Sequence, residues 1–224
     1  MSQKGLMIAS RENPLKQIAE ELRGRGMEVT VLYREDVNSA EKLQLAAAGM
    51  EAPDFLILSS LCDRGLEKKN YSELTPEEYY DWKYYALQQF YDISAAFVSK
   101  MVSHGGGKVL GILSEAGVIP TKNECMNGGA GAALVMGLQC MAEESHEDGI
   151  YTCAVAIGSM EEAEGFRATV NDPETVIHLP GKKLLSPDEV AARVVDLLEA
   201  TGPVMTGNVI TLDGGFSCAY MREW

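Results

Sequence analysis

The stretch that decides the fold runs from Lys108 to Glu144 and reads KVLGILSEAGVIPTKNECMNGGAGAALVMGLQCMAEE. It opens with an apolar run, Val109 to Leu113, whose length and composition predict a short buried strand. A turn and Pro120 follow, and then a long segment rich in small residues predicts a helix that ends at an acidic pair. This order predicts a strand joined through a turn to a helix, one unit of an α/β fold.

The composition fits one globular α/β domain that spans residues 1–224. Apolar residues make up 46% of the chain and charged residues 23%, which is enough for a full core. The formal net charge of -14 argues against binding to nucleic acid or to an anionic membrane. We expect a cytoplasmic protein, because no segment approaches the roughly 18 to 20 apolar residues of a membrane span. Met1 to Lys4 also lead directly into a strand rather than into a signal sequence.

The cysteines and histidines indicate neither a disulfide framework nor a metal site. The five cysteines form no CxxC pair, so reduced and packed thiols are expected. The three histidines lie far apart in the sequence and show no i, i+4 spacing. We therefore expect no bound metal.

The amino-terminal part of the chain predicts a β-α-β unit. Gly5 to Ser10 and Met27 to Tyr33 are the strands, and an amphipathic helix lies between them. In a dinucleotide-binding fold, glycines after the first strand let the backbone approach the pyrophosphate at the helix N-terminus. The turn from Ala9 to Pro14 has no glycine, and Glu12 would place a negative charge beside the pyrophosphate. The sequence therefore predicts no nucleotide cofactor.

The middle of the chain predicts two helices around one strand. Glu35 to Ala48 is expected to form one helix and Asp54 to Ser60 the strand. Thr75 to Glu78 has the residues of a helix start, with threonine as N-cap and proline at the first helical position. The helix that begins there, expected to continue to about Val102, is rich in tyrosine. Aromatic side chains are enriched at protein interfaces, although they could also cover the sheet.

Three segments resemble the short-chain dehydrogenase/reductase family. Gly131 to Leu134 is similar to that family's Lys-Ala-Ala-Leu, and Met141 to Glu144 to the Leu-Ala-x-Glu that closes the same helix. Thr206 to Gly215 resembles the family's Thr-Gly ending with its Asp-Gly-Gly. The resemblance implies an α/β fold with a Rossmann-like doubly wound parallel sheet. It also implies that this chain is shorter than the family norm by about one strand-helix unit before Asp54.

The resemblance places the family's catalytic tetrad on residues that lack its chemistry. The asparagine, serine, tyrosine and lysine positions are here Ala86, Ser114, Asn127 and Gly131, so only the serine is retained. An asparagine amide does not titrate and glycine has no side chain, so neither can move a proton. In the register of the enoyl-reductase branch the tyrosine position becomes Glu124, and the lysine position is still Gly131.

The same resemblance implies subunit interfaces, because the family pairs two of its helices with their copies in a neighbouring subunit. The interface candidates are Tyr80, Tyr84, Tyr91, Gly128, Met136 and Phe216. Glycines inside the helix of Asn127 each cost roughly 1 kcal/mol relative to alanine, and close approach of a neighbouring helix would offset that cost. Loss of the lysine at Gly131 is expected to leave a hollow.

Three hypotheses about function remain open. The first is a non-catalytic subunit that pairs with an active short-chain dehydrogenase, as occurs in this family in the dehydrogenase that oxidises a hydroxyacyl-succinyl-CoA in anaerobic toluene breakdown. The second is an enzyme that works without NAD(P), with chemistry on Ser114, Glu115, Glu124 or Cys125. For Cys125 the helix dipole would lower the thiol pKa. The third is a sensor with a small ligand at the carboxyl ends of the strands.

Overall fold

The architecture comes from a computed structural model that describes residues 2–9, 15–59, 69–83, 87, 89–161 and 179–220. The strands among these residues are β1 (Lys4–Ala9), β2 (Glu28–Tyr33), β3 (Phe55–Ser59), β4 (Gly107–Ser114), β5 (Ile150–Ile157) and β6 (Asn208–Leu212). The helices are α1 (Leu15–Gly24), α2 (Ala40–Ala48), α3 (Pro76–Lys83), α4 (Gln89–Ser103), α5 (Cys125–Ser145), α6 (Pro187–Ala200) and α7 (Phe216–Tyr220).

The six strands form one parallel sheet in the order β2-β1-β3-β4-β5-β6. The order reverses between β1 and β3, because β2 lies on one side of β1 and all later strands lie on the other. A doubly wound sheet has its ligand crevice at such a switch point, outside the carboxyl ends of the strands. The predicted fold class is confirmed, and within the described ranges no strand lies beyond β2. This agrees with the predicted loss of one strand-helix unit.

Two apolar layers hold the helices against the sheet. On one face, α1 and α6 pack through residues such as Leu15, Ile18 and Val194. On the other face, α2, α4 and α5 pack through residues such as Leu43, Phe97 and Leu134. The strands contribute buried side chains to both layers, which is why they read as continuous apolar runs in the sequence. The carboxyl ends of all six strands therefore open on one edge of this three-layer structure.

One segment that was expected to form a single helix divides at a place that the sequence pattern did not predict. The segment expected as one helix from Glu35 to Ala48 is a 3-10 turn (Arg34–Val37) followed by α2. The side chain of Ser39 accepts a hydrogen bond from Lys42 N at 3.3 Å and so caps a new helix start. Of the long helix expected after Thr75, the structure describes α3 and α4, and residues 84–86 and 88 between them lie outside the described residues.

The predicted start of α3 is confirmed in atomic detail. The Thr75 hydroxyl accepts a hydrogen bond from Glu78 N at 3.3 Å, and the Glu78 carboxylate accepts one from Thr75 N at 2.9 Å. This reciprocal pair is a capping box.

Among the described residues, no helix combines the length and apolar character needed to cross a membrane.

Candidate active-site region

Ser114 is the last residue of β4, and its hydroxyl is engaged by the turn that follows. Its Oγ accepts a hydrogen bond from Ala116 N at 3.3 Å and donates one to the Glu115 carboxylate at 3.4 Å. The serine therefore caps the 3-10 turn Glu115–Gly117, as short hydroxyl side chains commonly do. Its position at the carboxyl end of a central strand is the one that the sequence predicted.

Gly131, on α5, packs directly against the backbone of that turn. A Cβ atom built on Gly131 would lie 2.8 Å from Gly117 Cα and 3.1 Å from Leu113 Cδ1. Built on Gly117, a Cβ would lie 2.8 Å from Gly131 Cα, so each glycine requires the other to lack a side chain. The prediction of a hollow at Gly131 is therefore wrong. The loop backbone and Leu113 occupy the space at the base of the family's lysine side chain.

Two other glycines of α5, Gly128 and Gly137, also face their own chain. A Cβ on Gly128 would lie 2.7 Å from the carbonyl oxygen of Ala116, and one on Gly137 would lie 2.7 Å from the Phe90 ring. The close approaches that offset the helical cost of these two glycines are thus intramolecular. We correct the sequence-based argument accordingly: neither glycine requires a neighbouring subunit.

Asn127 does not face an active-site partner of the family type but binds a buried carboxylate in its own helical turn. Its Nδ2 donates a hydrogen bond to Glu124 Oε2 at 2.6 Å. Glu124 is buried, and with Lys69 and Asn127 it lines a cavity of about 10 Å³, which is the size of one water molecule. Both residues that occupy the family's tyrosine position, in its two registers, therefore belong to one small polar cluster.

Cys125 is the first residue of α5, where the helix dipole was expected to lower the thiol pKa. Cys125 is exposed, but partial burial of its thiol acts in the opposite direction and raises the pKa of Cys125, because loss of water disfavours the thiolate. The expectation of an activated thiol is therefore wrong.

We expect Cys125 to alkylate more slowly at pH 7 than a free cysteine. A raised pKa leaves less thiolate at neutral pH, so the rate should still be rising with pH above the ordinary thiol pKa of about 8.5. Iodoacetamide labelling from pH 6 to 10, followed by peptide mass spectrometry at Cys125, measures this, with the urea-unfolded chain as control. Faster labelling in the folded chain, with an inflection below pH 7, would contradict the expectation.

Several predicted positions lie outside the residues that the structure describes. These are Ala86, Tyr84 and residues 10–14 of the turn that lacks the family's glycines. At the near edge of that turn, Ala9 ends β1 beside Tyr33. The next residue after Tyr33, Arg34, is buried and donates a hydrogen bond to the Ser59 carbonyl oxygen. The sequence pattern did not single out Arg34.

The interface candidates divide into exposed and covered side chains. Tyr80, Tyr91 and Met136 expose 68%, 54% and 59% of their surface. Phe216, in contrast, is buried within its own chain, and Gly128 is half-buried against the turn of Ala116. The exposed three lie on α3, α4 and α5, so these helices carry the interface candidates that a partner could contact.

A cavity that the sequence did not predict lies between α3 and the start of α5. Its volume is about 550 Å³, within the range of ligand-sized clefts. The described residues that line it are mostly aromatic and apolar, and they include Tyr71, Leu74, Tyr79, Tyr80, Leu87 and Met126. The tyrosine-rich sequence of α3 was the available signal, but only the packing of α3 beside α5 produces a concave surface.

Metal ligands do not gather in the part of the chain that the structure covers. No three His, Cys, Asp or Glu side chains approach one another there in a way that could hold an ion.

Comparison with known proteins identifies relatives across nearly the whole chain. The family described as "Enoyl-(Acyl carrier protein) reductase" matches residues 5–217. A galactitol 2-dehydrogenase of Rhizobium johnstonii is 25% identical over 95% of this chain and 85% of its own length. An NAD-dependent glycerol dehydrogenase of Listeria innocua is 25% identical over 84% and 75%. An uncharacterized oxidoreductase of Thermotoga maritima is 30% identical, but over only 55% of this chain and 52% of its own length.

Solved structures with the same fold have lower sequence identity. A gluconate 5-dehydrogenase from Burkholderia cenocepacia, solved with NADP and tartrate, has a TM-score of 0.81 at 17% identity and covers 97% of this chain and 96% of its own. A 3-ketoacyl-(acyl-carrier-protein) reductase from Brucella melitensis, solved with NADH, has a TM-score of 0.81 at 16% identity, with 96% and 98% covered. At these identities the likeness concerns the fold.

Proposed function

This chain belongs to the short-chain dehydrogenase/reductase family, and we propose that within it the chain is a non-catalytic subunit that pairs with an active, NAD-dependent member. The observation that carries the proposal is the contact between Gly131 and Gly117. A lysine at this helical position could not leave the helix without displacing the turn that follows Ser114. The family's proton chemistry depends on that lysine beside a tyrosine, and Asn127 is bonded to Glu124 instead.

The surface formed by α3, α4 and α5 supports a role in pairing. On α5 the exposed residues recur at helical spacing, from Gly129 through Ala132 to Met136, so one face of this helix is small and apolar. Exposed Tyr91 of α4 and the cavity beside Tyr80 of α3 extend this surface. A flat helical face next to a concave aromatic surface suits a partner that inserts an apolar side chain.

We propose that the active partner oxidises a hydroxyl-bearing acyl compound, such as a hydroxyacyl-CoA thioester of anaerobic aromatic degradation. Two relatives of this chain are named as dehydrogenases of polyols, whose reacting group is a hydroxyl, and one solved structure of the same fold is named for an acyl substrate. The partner would hold the cofactor and perform the hydride transfer.

A second candidate is an enzyme that does not use NAD(P), with Glu124 as its acid or base. Its support is the burial of Glu124 and the 2.6 Å hydrogen bond from Asn127, beside a cavity that has room for one water. A buried carboxylate next to a bound water is an arrangement that can transfer a proton. In this case Glu124→Gln would abolish turnover by this chain. If the first proposal holds, the same replacement would leave turnover by the complex with the active partner unchanged.

Co-expression with the nearest encoded short-chain dehydrogenase tests the main proposal. We expect native mass spectrometry to show a mixed tetramer, and calorimetry to show one NAD per pair with none bound by this chain alone. Met136→Glu should weaken the complex at least tenfold, because it places a charge in a dry interface. Leu45→Glu, at an exposed residue of α2, is the matched control and should leave it intact. A homo-oligomer of this chain that binds NAD would contradict the proposal.

A further inference from the structure

Arg34 lies at the switch point of the sheet, where an open α/β sheet admits its ligand. It directly follows β2, and Tyr33, its predecessor, is paired with Ala9 at the end of β1. On the other side of β1, Met7 is paired with Ile57, so Ala9 is level with Ser59 at the end of β3. The ends of β2, β1 and β3 therefore form one step at the crevice between β1 and β3.

The Arg34 side chain spans that step. Its Nη2 donates a hydrogen bond to the carbonyl oxygen of Ser59, although β1 lies between the two strands. Two strand spacings amount to about 9.6 Å, so the side chain must extend across the carboxyl end of β1 to make this bond. The residue is only 7% exposed, so the side chain is shielded from solvent where it crosses the end of β1.

A guanidinium in this position has a physical reason to stay there. The Ser59 carbonyl lies at the end of its strand, beyond the paired register of β3 with β1, and a charged donor gives it a hydrogen bond about twice as strong as a neutral one. Removal of a buried charge from its acceptor is costly. A ligand that entered the crevice would have to break this bond and move the whole side chain.

We propose that Arg34 closes the switch-point crevice, so that a side chain of the protein itself takes the place of a bound nucleotide and ties the end of β2 to the end of β3. The inference rests on the proposed function, because only a chain that needs no dinucleotide can fill this crevice. It identifies Arg34 as the residue that excludes a nucleotide and that holds the ends of β2 and β3 together when no nucleotide is bound. It also argues against a sensor site at this end of the sheet.

Thermal unfolding of the purified chain with and without nucleotides tests the proposal. The probes are NAD, NADP and adenosine 2′,5′-bisphosphate, each at millimolar concentration, on the wild type and on Arg34→Ala, Arg34→Lys and Arg193→Ala. Arg193 is the matched control, an arginine whose side chain is 69% exposed in an ion pair with Asp196. We expect Arg34→Ala to lower the midpoint by about 5 °C, Arg34→Lys by less, and Arg193→Ala hardly at all. No nucleotide should raise the wild-type midpoint.

Two results would overturn the proposal. In the first, Arg34→Ala is as stable as Arg193→Ala, which would mean that the bond to Ser59 does not hold the strand ends together. In the second, a nucleotide stabilises the wild type and Arg34→Ala abolishes the effect, which would make Arg34 a ligand-binding residue. Native mass spectrometry of Arg34→Lys with the partner subunit distinguishes failure of the Arg34 proposal from failure of the proposed function. The variant should still form the complex, because pairing through α3, α4 and α5 does not depend on the crevice.

Discussion

Replacement of Gly131 by lysine is expected to destabilise the protein by roughly 3–5 kcal/mol, although it restores the residue that the family has at this position. The first carbon of the new side chain would lie 2.8 Å from Gly117 Cα. Backbone on both sides cannot rotate away as a flexible side chain could, so the turn after Ser114 must shift or α5 must move outward. The lysine also brings a charge into a buried position. Urea unfolding followed by circular dichroism measures the loss.

Two variants show whether the backbone contact is responsible. Gly131→Ala should cost about 1–2 kcal/mol, even though alanine favours a helix by about 1 kcal/mol over glycine, because the Cβ alone causes the overlap. Ala132→Lys, at the exposed next residue of α5, should stay within about 0.5 kcal/mol of wild type. If Gly131→Lys were as stable as Ala132→Lys, space for the family's lysine would exist and the main support for a non-catalytic subunit would be lost.

Replacement of Asp213 by alanine is expected to cost about 3 kcal/mol. The Asp213 carboxylate is buried and accepts hydrogen bonds from Gly215 N at 2.9 Å and from Ser217 N at 2.8 Å. These bonds hold the turn between β6 and α7, in which Gly214 and Gly215 have φ of 63° and 85°, values that favour glycine. Without the carboxylate, two backbone donors lose their acceptor. Urea unfolding again measures the change.

Asp213→Asn separates the role of the acceptor from that of the charge. An amide oxygen can keep one of the two bonds, so this variant should lose about half as much stability. Asp148→Ala, at an exposed turn before β5, should change the free energy of unfolding by less than about 0.5 kcal/mol. A loss at Asp213 no larger than at Asp148 would show that the family's Asp-Gly-Gly turn is not needed for the stability of this chain.

The contacts around Gly131 and Arg34 join segments that are separate in the sequence. The mutual contact of Gly117 and Gly131 joins the turn after β4 to α5. In the same way Arg34 bridges two strand ends at the crevice. Both contacts lie at the carboxyl ends of the strands, the end of such a sheet at which function is determined by the particular side chains and not by the fold.

The sequence alone determined the elements and their order. Strands with continuous apolar runs, helices with capped starts and the family's closing Asp-Gly-Gly are local patterns of spacing and side-chain type. Together with the family resemblance they sufficed to predict the parallel sheet, the missing strand-helix unit and the positions of Ser114, Asn127 and Gly131. The start of α2 was harder to predict from the sequence, because the Ser39 cap that separates α2 from Arg34–Val37 is one hydrogen bond within an otherwise helical pattern.

Only the tertiary structure decided what each position contacts. A missing side chain looks like vacant space in a sequence, but neighbouring segments close in on a glycine because protein interiors are densely packed. The contact of Gly117 with Gly131 and the hydrogen bond from Arg34 to Ser59 each join residues that are far apart in the chain. The raised pKa of Cys125 depends on how much water remains around its thiol. Such contacts follow from the packing of the sheet and its helices, and no local pattern of residues records them.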